Sequence, residues 1–202
     1  MFSLENQVFA IPGCNATLEW ILGPTYLTSY TYSINVFNAN GIEIAMMEYM
    51  KCQHVIIDTS MYCEVRNISD KEQRLSVVLI NVTRANSGKY LGNIKSGSWN
   101  ETRTNELKII DKPQIRESQK PILLKPFSTK CTVDSKFDDL NYHWKLNGTY
   151  LNSTKRINAS SSNLAFARLM MTDKFSLFSC TVCSETNCCI ESEPYAPDPY
   201  CK

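Results

Sequence analysis

Leu75-Ser-Val-Val-Leu-Ile-Asn-Val-Thr-Arg-Ala-Asn-Ser-Gly-Lys-Tyr-Leu-Gly92 is the stretch that decides how this chain folds. Val77, Leu79 and Val82 have the apolar spacing of a strand. Asn86-Ser-Gly-Lys-Tyr90 then turns the chain and puts a tyrosine at the head of the next strand. At that offset a Tyr hydroxyl can return to the backbone of the turn and pin the two strands together. The ordinary continuation is a cysteine two residues on. Here that position is Gly92. The corner is present and its cysteine is missing.

Upstream, residues 8–11 form a candidate first strand closed by Pro12-Gly13. Gly13-Cys-Asn-Ala-Thr-Leu-Glu-Trp20 then follows the strand-B pattern Gly-x-x-Val-Thr-Leu-x-Cys of variable-type immunoglobulin domains until its last position, where Trp20 replaces the cysteine. Ala16, Leu18, Trp20 and Leu22 fall on one face at the two-residue period of a strand. Residues 30–37 read as strand C, with Tyr30, Tyr32, Ile34 and Val36 together on one side. The fold's usual core Trp is absent from it. A turn at 38–41 precedes strand C′ over 42–50, with Ile44 and Met46 inward. Strand D begins within 61–65, strand F at Lys89, a loop occupies 95–104, and strand G spans 106–110. No helical period of comparable length appears.

Asp111-Lys112-Pro113 reads as a short joint, because Pro113 cannot donate to a ladder. Beyond it the architecture repeats in a more orthodox form. Cys131 lies on an alternating strand, Trp144 follows at Cys-x12-Trp spacing, and Cys180 closes Phe175-Ser-Leu-Phe-Ser-Cys180. That trio is an immunoglobulin signature. Phe178 stands at the corner Tyr position, so the hydroxyl bond is absent there. The weak, polar stretch between Trp144 and Leu164 argues for a smaller domain without the extra variable-type strand. The expectation is an all-β chain of two tandem immunoglobulin-like sandwiches. Residues 1–111 form a V-type domain without the usual B–F disulfide, and residues 112–202 an I/C2-type domain with extra cysteines.

At the two positions where the first domain's sulfurs would meet, the chain offers a large indole and a residue with no side chain. Cores tolerate substitution when total volume is kept. Trp20 is therefore expected to cross over Gly92. The alternative is a slipped alignment, with Trp20 merely one core residue among several. Cys52 and Cys63 flank a loop and are positioned to staple the C′–D edge, which leaves Cys14 over. Cys131 and Cys180 form the pin of the second domain. Cys183, Cys188, Cys189 and Cys201 suffice for two bridges tying the F–G hairpin and the C-terminal tail, but sequence does not fix their connectivity.

Composition limits what such a chain does. The 202 residues carry 21 Lys+Arg against 20 Asp+Glu, too balanced for a nucleic-acid or anionic-membrane field. Nine cysteines and sequons at Asn15, Asn67, Asn81, Asn100, Asn147, Asn152 and Asn158 point to an oxidising compartment and a glycosylated, secreted or cell-surface protein. No leader and no apolar run near the roughly 20 residues of a membrane span is visible. The chain therefore reads as an ectodomain fragment of a single-pass protein, with any contact with the membrane made through a missing anchor.

Chemistry has no foothold. The spacing Cys183-x4-Cys188-Cys189 is wrong for structural zinc, which prefers C-x2-C knuckles. His54 and His143 stand alone. No phosphate loop, G-x-S-x-G or H-E-x-x-H occurs. No cofactor, metal or enzymatic activity is expected.

Recognition is expected on the outward face of the G-F-C-C′ sheet of the first domain. Alternation turns Thr31, Ser33, Asn35 and Phe37 outward on strand C, Ala45, Met47 and Tyr49 on strand C′, and Lys89, Leu91 and Asn93 on strand F. Asn35, Phe37, Met47, Tyr49 and Leu91, joined by Trp99 from the F–G loop, are the predicted partner-binding residues. Phe37, Met47, Tyr49 and Leu91 would be more apolar surface than a monomer usually shows. Asn100 is the only sequon in that region, so the sheet is left largely free of sugar.

The tandem layout resembles immunoglobulin-superfamily cell-surface recognition proteins across nearly the whole chain. One similar group is the lymphocyte adhesion receptors, with a V domain lacking the pin disulfide followed by a C2 domain with extra cysteines. Ile11-Pro-Gly-Cys-Asn-Ala-Thr-Leu18 and Val82-Thr-Arg-Ala-Asn-Ser-Gly-Lys-Tyr90 look closer to the allorecognition (Alr) family of colonial hydroids. That resemblance implies homophilic binding in trans through the distal domain. The chain departs from the general corner at Asn86, where an Asp would accept an Arg. The other reading is a secreted or heterophilic immune-type receptor for a different protein or a pathogen ligand.

Overall fold

The computed structural model describes residues 5–23, 32–48, 51–54, 60–69, 72–133, 140–184 and 187–200. The chain divides into two compact units, Met1–Ile109 and Ile110–Lys202, each with its own core.

Among the described residues of the first unit, nine strands form two layers. They are β1 (Glu5–Ala10), β2 (Ala16–Leu22), β3 (Tyr32–Phe37), β4 (Glu43–Glu48), β5 (Lys51–His54), β6 (Met61–Ser69), β7 (Glu72–Leu79), β8 (Gly88–Ser96) and β9 (Trp99–Ile109). One sheet has the order β1-β9-β8-β3-β4-β5 and the other β2-β7-β6. β1 runs parallel to β9. This is the A′GFCC′C″ and BED arrangement of a variable-type immunoglobulin domain. Period-two burial builds it: Ala16, Leu18, Trp20 and Leu22 on β2 face Tyr90, Gly92 and Ile94 on β8 across the core.

The corner closes as its residues require. Tyr90 donates its hydroxyl to the Asn86 carbonyl at 2.8 Å. Burial pushes the Tyr90 hydroxyl above its ordinary pKa, which keeps it a donor. Asn86 itself accepts from the Thr83 N–H at 2.7 Å and the Thr83 hydroxyl at 3.1 Å. The amide thereby caps the turn that an Asp would otherwise cap. Backbone bonds between Val82 and both Gly13 and Cys14, each 2.8 Å, tie this turn to the one before β2.

Trp20 lies directly over Gly92. A methyl group added at Gly92 would stand 2.6 Å from Trp20 Cδ1 and 2.9 Å from Cε2. Trp20 is 1% exposed. Its indole N–H donates to the Arg103 carbonyl at 3.3 Å. Two further side chains of β9 reach the same strand: the Asn105 amide donates to Glu19 O at 3.0 Å, and the Arg103 guanidinium donates to Ile21 O. Strands B and G are thus stapled by three hydrogen bonds beside the place where a B–F disulfide is absent. The covalent link sits elsewhere. Cys52 on β5 is bonded to Cys63 on β6, joining the edges of the two sheets. Cys14, which the spacing leaves over, is disulfide-bonded as well.

Two expectations are corrected here. The first concerns Met47, Met46 and Ala45. β3 pairs Val36 with Ala45 but Phe37 with Glu43, so Ile44 is an extra residue in the ladder. A bulge of this kind flips the phase of the strand beyond it. Ile44, Ala45 and Met47 are all buried, at 1%, 0% and 0% exposure, and Met46 turns outward in place of Met47. The second concerns the loop over 95–104. Those residues continue β8 and β9 into a long hairpin, reversed at Gly97-Ser98, with Gly97 at φ 58°. A two-residue Gly-Ser turn between β-forming segments is a hairpin signal.

The second unit has β10 (Gln114–Glu117), β11 (Phe127–Thr132), β12 (Asn141–Leu146), β13 (Thr149–Tyr150), β14 (Ile157–Ser160), β15 (Asn163–Phe166), β16 (Phe178–Cys183) and β17 (Cys189–Glu191). Its sheets are β10-β11-β15-β14 and β13-β12-β16-β17. Among the described residues no strand follows β13 in its sheet, as suits an I/C2-type sandwich. Cys131 and Cys180 form the central disulfide, with Trp144 buried beside them. Phe178, in the corner position, replaces the hydroxyl bond with ring packing: its centroid is 5.3 Å from Phe166, which is 5.9 Å from Phe127. The nearby turn is held instead by Asp173, 2% exposed, which takes a two-pronged ion pair from Arg156 at 2.7 and 3.0 Å. Cys183–Cys189 closes the β16–β17 hairpin, and Cys188 is also disulfide-bonded.

Candidate protein-binding face

The outward face of the six-stranded sheet is set by the ladder registers. On β8, inward Tyr90, Gly92, Ile94 and Ser96 leave Lys89, Leu91, Asn93 and Lys95 outward. Opposed residues of antiparallel strands share a face. Leu91 is paired with Phe37 on one side and Thr104 on the other. Asn93 lies between Asn35 and Thr102, and Lys95 between Ser33 and Asn100. On β4 the bulge places Glu43, Met46 and Glu48 beside Phe37, Asn35 and Ser33 in turn. β5 adds Gln53 and Lys51 next to Met46 and Glu48.

The centre of this face is half-buried and apolar: Phe37 against Leu91, with Met46 one row away. Around it the polar groups are already ordered. Asn35 donates its amide to Glu43 Oε1 at 2.5 Å, and Thr102 donates its hydroxyl to Asn93 Oδ1 at 2.8 Å. Charges of both signs rim the centre, with Lys89 and Lys95 on β8 and Glu43 and Glu48 on β4.

Of the residues singled out from the sequence, Asn35, Phe37 and Leu91 lie together on this face. Met47 does not, because the bulge sends it into the core. Tyr49 and Thr31 fall outside the described residues. Trp99 is 64% exposed at the hairpin tip, but it is paired with inward Ser96 and shares its side of the strand with Glu101 and Arg103. It therefore stands on the opposite side of β9 from Leu91. Met46, Glu43, Glu48 and Lys95 were missed. The Gly97-Ser98 turn was the signal for Lys95; nothing local announces the bulge that selects Met46.

The sequons divide by face. Asn100 stands on the outward face, at the end of the Lys95 row. Asn67 lies on β6 in the other sheet. Asn15 and Asn81 meet at one end of the sandwich, where Asn15 Oδ1 accepts the Asn81 N–H at 3.2 Å. In the second unit His143 is exposed and packs edge-on against Tyr150, with centroids 5.8 Å apart. Among the described residues no three His, Cys, Asp or Glu side chains converge where a metal ion would sit.

The strand order, the tyrosine corner and the Cys131–Trp144–Cys180 core define a tandem immunoglobulin-fold protein. No family model matches the chain. No curated protein matches it either. Among solved structures, the full ectodomain of mouse nectin-like molecule 4 is 13% identical, with 97% of this chain and 67% of that one covered and a TM-score of 0.41. The amphioxus IgVJ-C2 molecule is 14% identical, with 95% and 99% covered and a TM-score of 0.33. The N-terminal four Ig domains of Dscam1 isoform 4.44 are 13% identical, with 99% and 44% covered and a TM-score of 0.34. At these identities the likeness is one of fold.

Proposed function

We propose that this chain is the ectodomain of a cell-surface recognition and adhesion protein that binds a second copy of itself on an opposing cell, through the outward face of β9, β8, β3 and β4. One observation carries this reading. A single face combines an apolar centre, Phe37 with Leu91 and Met46, with ordered amides and with charges of both signs. An isologous contact brings each patch against its own copy, so it needs cations and anions on the same surface. Lys89 and Lys95 on one strand and Glu43 and Glu48 on another meet that need.

Sugar placement supports the same face. Glycans on Asn15, Asn67 and Asn81 would cover the other sheet and one end, and of these four sequons Asn100 alone borders the proposed contact. The likeness of residues 11–18 and 82–90 to the hydroid allorecognition proteins supports homophilic over heterophilic pairing. Beads coated with the glycosylated ectodomain test it: they are expected to aggregate with one another. Coated beads that stay dispersed, together with a monomeric protein in sedimentation at high concentration, would exclude homophilic binding.

A further inference from the structure

We propose that the second sandwich carries a membrane-docking end that lies on the phospholipid surface. β11 and β16 start at this end, and β12 and β15 finish there. It is opposite the end at which β10 begins, since Gln114 is paired with Thr132 at the far end of β11. Leu124, Met170, Met171, Phe175 and Tyr200 are all exposed here, Phe175 to 79%. Two main-chain bonds and one side-chain ion pair hold the segments that carry them together. Leu124 N–H donates to Leu169 O at 2.9 Å, Leu123 N–H donates to Tyr200 O at 3.1 Å, and Lys174 pairs with Asp198 at 2.8 Å. Leu177, whose N–H is held by Asn147 Oδ1 at 3.0 Å, sits beside a sequon and marks the rim.

The balanced charge of the whole chain gives no long-range field toward an anionic membrane, and from sequence alone a membrane contact is expected through an anchor only. The local charge around this cluster departs from that balance and selects the occupant. In segments 118–126, 146–149, 154–157, 166–178 and 195–200 the carboxylates are Asp173 and Asp198, both ion-paired, and Glu117 just outside them accepts the Tyr195 hydroxyl at 2.7 Å. Lys120, Lys125, Lys155 and Arg168 are exposed there, with no carboxylate partner among the described residues. Projecting apolar tips ringed by cations match the bilayer interface, where Phe, Leu and Met side chains enter the acyl boundary and Lys and Arg meet lipid phosphates. A protein groove partner would instead call for a concave apolar surface, whereas these side chains stand out on loop tips and a single 3-10 turn, Met171–Phe175.

Flotation of the whole 202-residue glycosylated chain with phosphatidylcholine vesicles, with and without phosphatidylserine, tests the proposal. The chain is expected to float with the vesicles, and more of it when phosphatidylserine is present. Met171→Ser with Phe175→Ser should lower the bound fraction at least about tenfold, since losing one buried apolar side chain alone is worth about that much. Lys125→Glu with Arg168→Glu should erase the phosphatidylserine increment. All four positions are exposed, so an unchanged thermal midpoint is expected to show the fold intact. A chain that stays with the soluble fraction at both compositions, or variants that float like the unaltered chain, would overturn the proposal. So would self-association without vesicles that Phe175→Ser abolishes, because a second copy would then occupy the patch. Bead aggregation through Leu91 is read separately, so failure of either reading leaves the other standing.

Discussion

The indole of Trp20 lies across the bare backbone of Gly92, at the two positions where the sheets of a variable-type sandwich are ordinarily joined by sulfur. The volume that two cysteines would fill is taken by one side chain from one sheet. The cross-link is replaced by packing and by three hydrogen bonds between β2 and β9.

Gly92→Ala tests that relationship. Gly92 does not have a positive φ, so alanine meets no backbone strain there. What it meets is the indole, at 2.6 Å from Cδ1. Overpacking of this kind costs about 1–3 kcal/mol. Denaturant unfolding of the first unit should show that loss. An unaltered transition midpoint would mean that the indole does not occupy this space.

Cys52→Ser with Cys63→Ser removes the link that joins the sheet edges. The bridged residues are 11 apart in sequence. Loop-closure entropy for that length gives about 3 kcal/mol of stabilisation, within the wide range of measured disulfides. The first unit should unfold correspondingly earlier while the second keeps its midpoint.

Tyr90→Phe removes one hydroxyl and leaves the ring in place. The 2.8 Å bond to Asn86 O is lost and the carbonyl is left at a half-buried turn. A destabilisation of about 1 kcal/mol is expected, read from the same unfolding transition. The second unit already tolerates this chemistry, because Phe178 fills the equivalent place.

The corner, the Trp20–Gly92 exchange and the Cys131, Trp144 and Cys180 trio were legible because each is a local pattern at fixed offsets. The proposed binding face was legible only in part. Phe37 and Leu91 follow from simple alternation, but Met47 does not, because the bulge at Ile44 depends on how β4 pairs with β3. Trp99 was misassigned for a related reason: its side is fixed by the hairpin register, which the expected loop over 95–104 concealed. The Arg103 and Asn105 bonds to β2 join residues more than 80 positions apart, and no local pattern announces them.

Glu191 supplies a pH signature in the second unit. Hydrogen bonds from Lys145 and then Ser179 hold its carboxyl below the usual carboxylate range. A depressed folded-state pKa stabilises fully above the unfolded-state pKa and is lost as pH falls through the folded value. The stability gap between the unaltered chain and Glu191→Gln should therefore be constant near neutrality and close on acidification. Thermal unfolding of both proteins across the acid range measures it, and a gap that widens toward low pH would contradict the assignment.

Leu91, beside Phe37, is proposed to lie at the heart of a self-binding face. The most direct measurement is aggregation of beads coated with the Leu91→Arg ectodomain, alongside its thermal midpoint. An arginine stem can lie along the half-buried site, so stability should change by less than about 0.5 kcal/mol. The predicted result is a folded protein whose beads no longer aggregate with themselves or with unaltered beads. A folded Leu91→Arg protein that still aggregates as the unaltered one does would place the contact elsewhere.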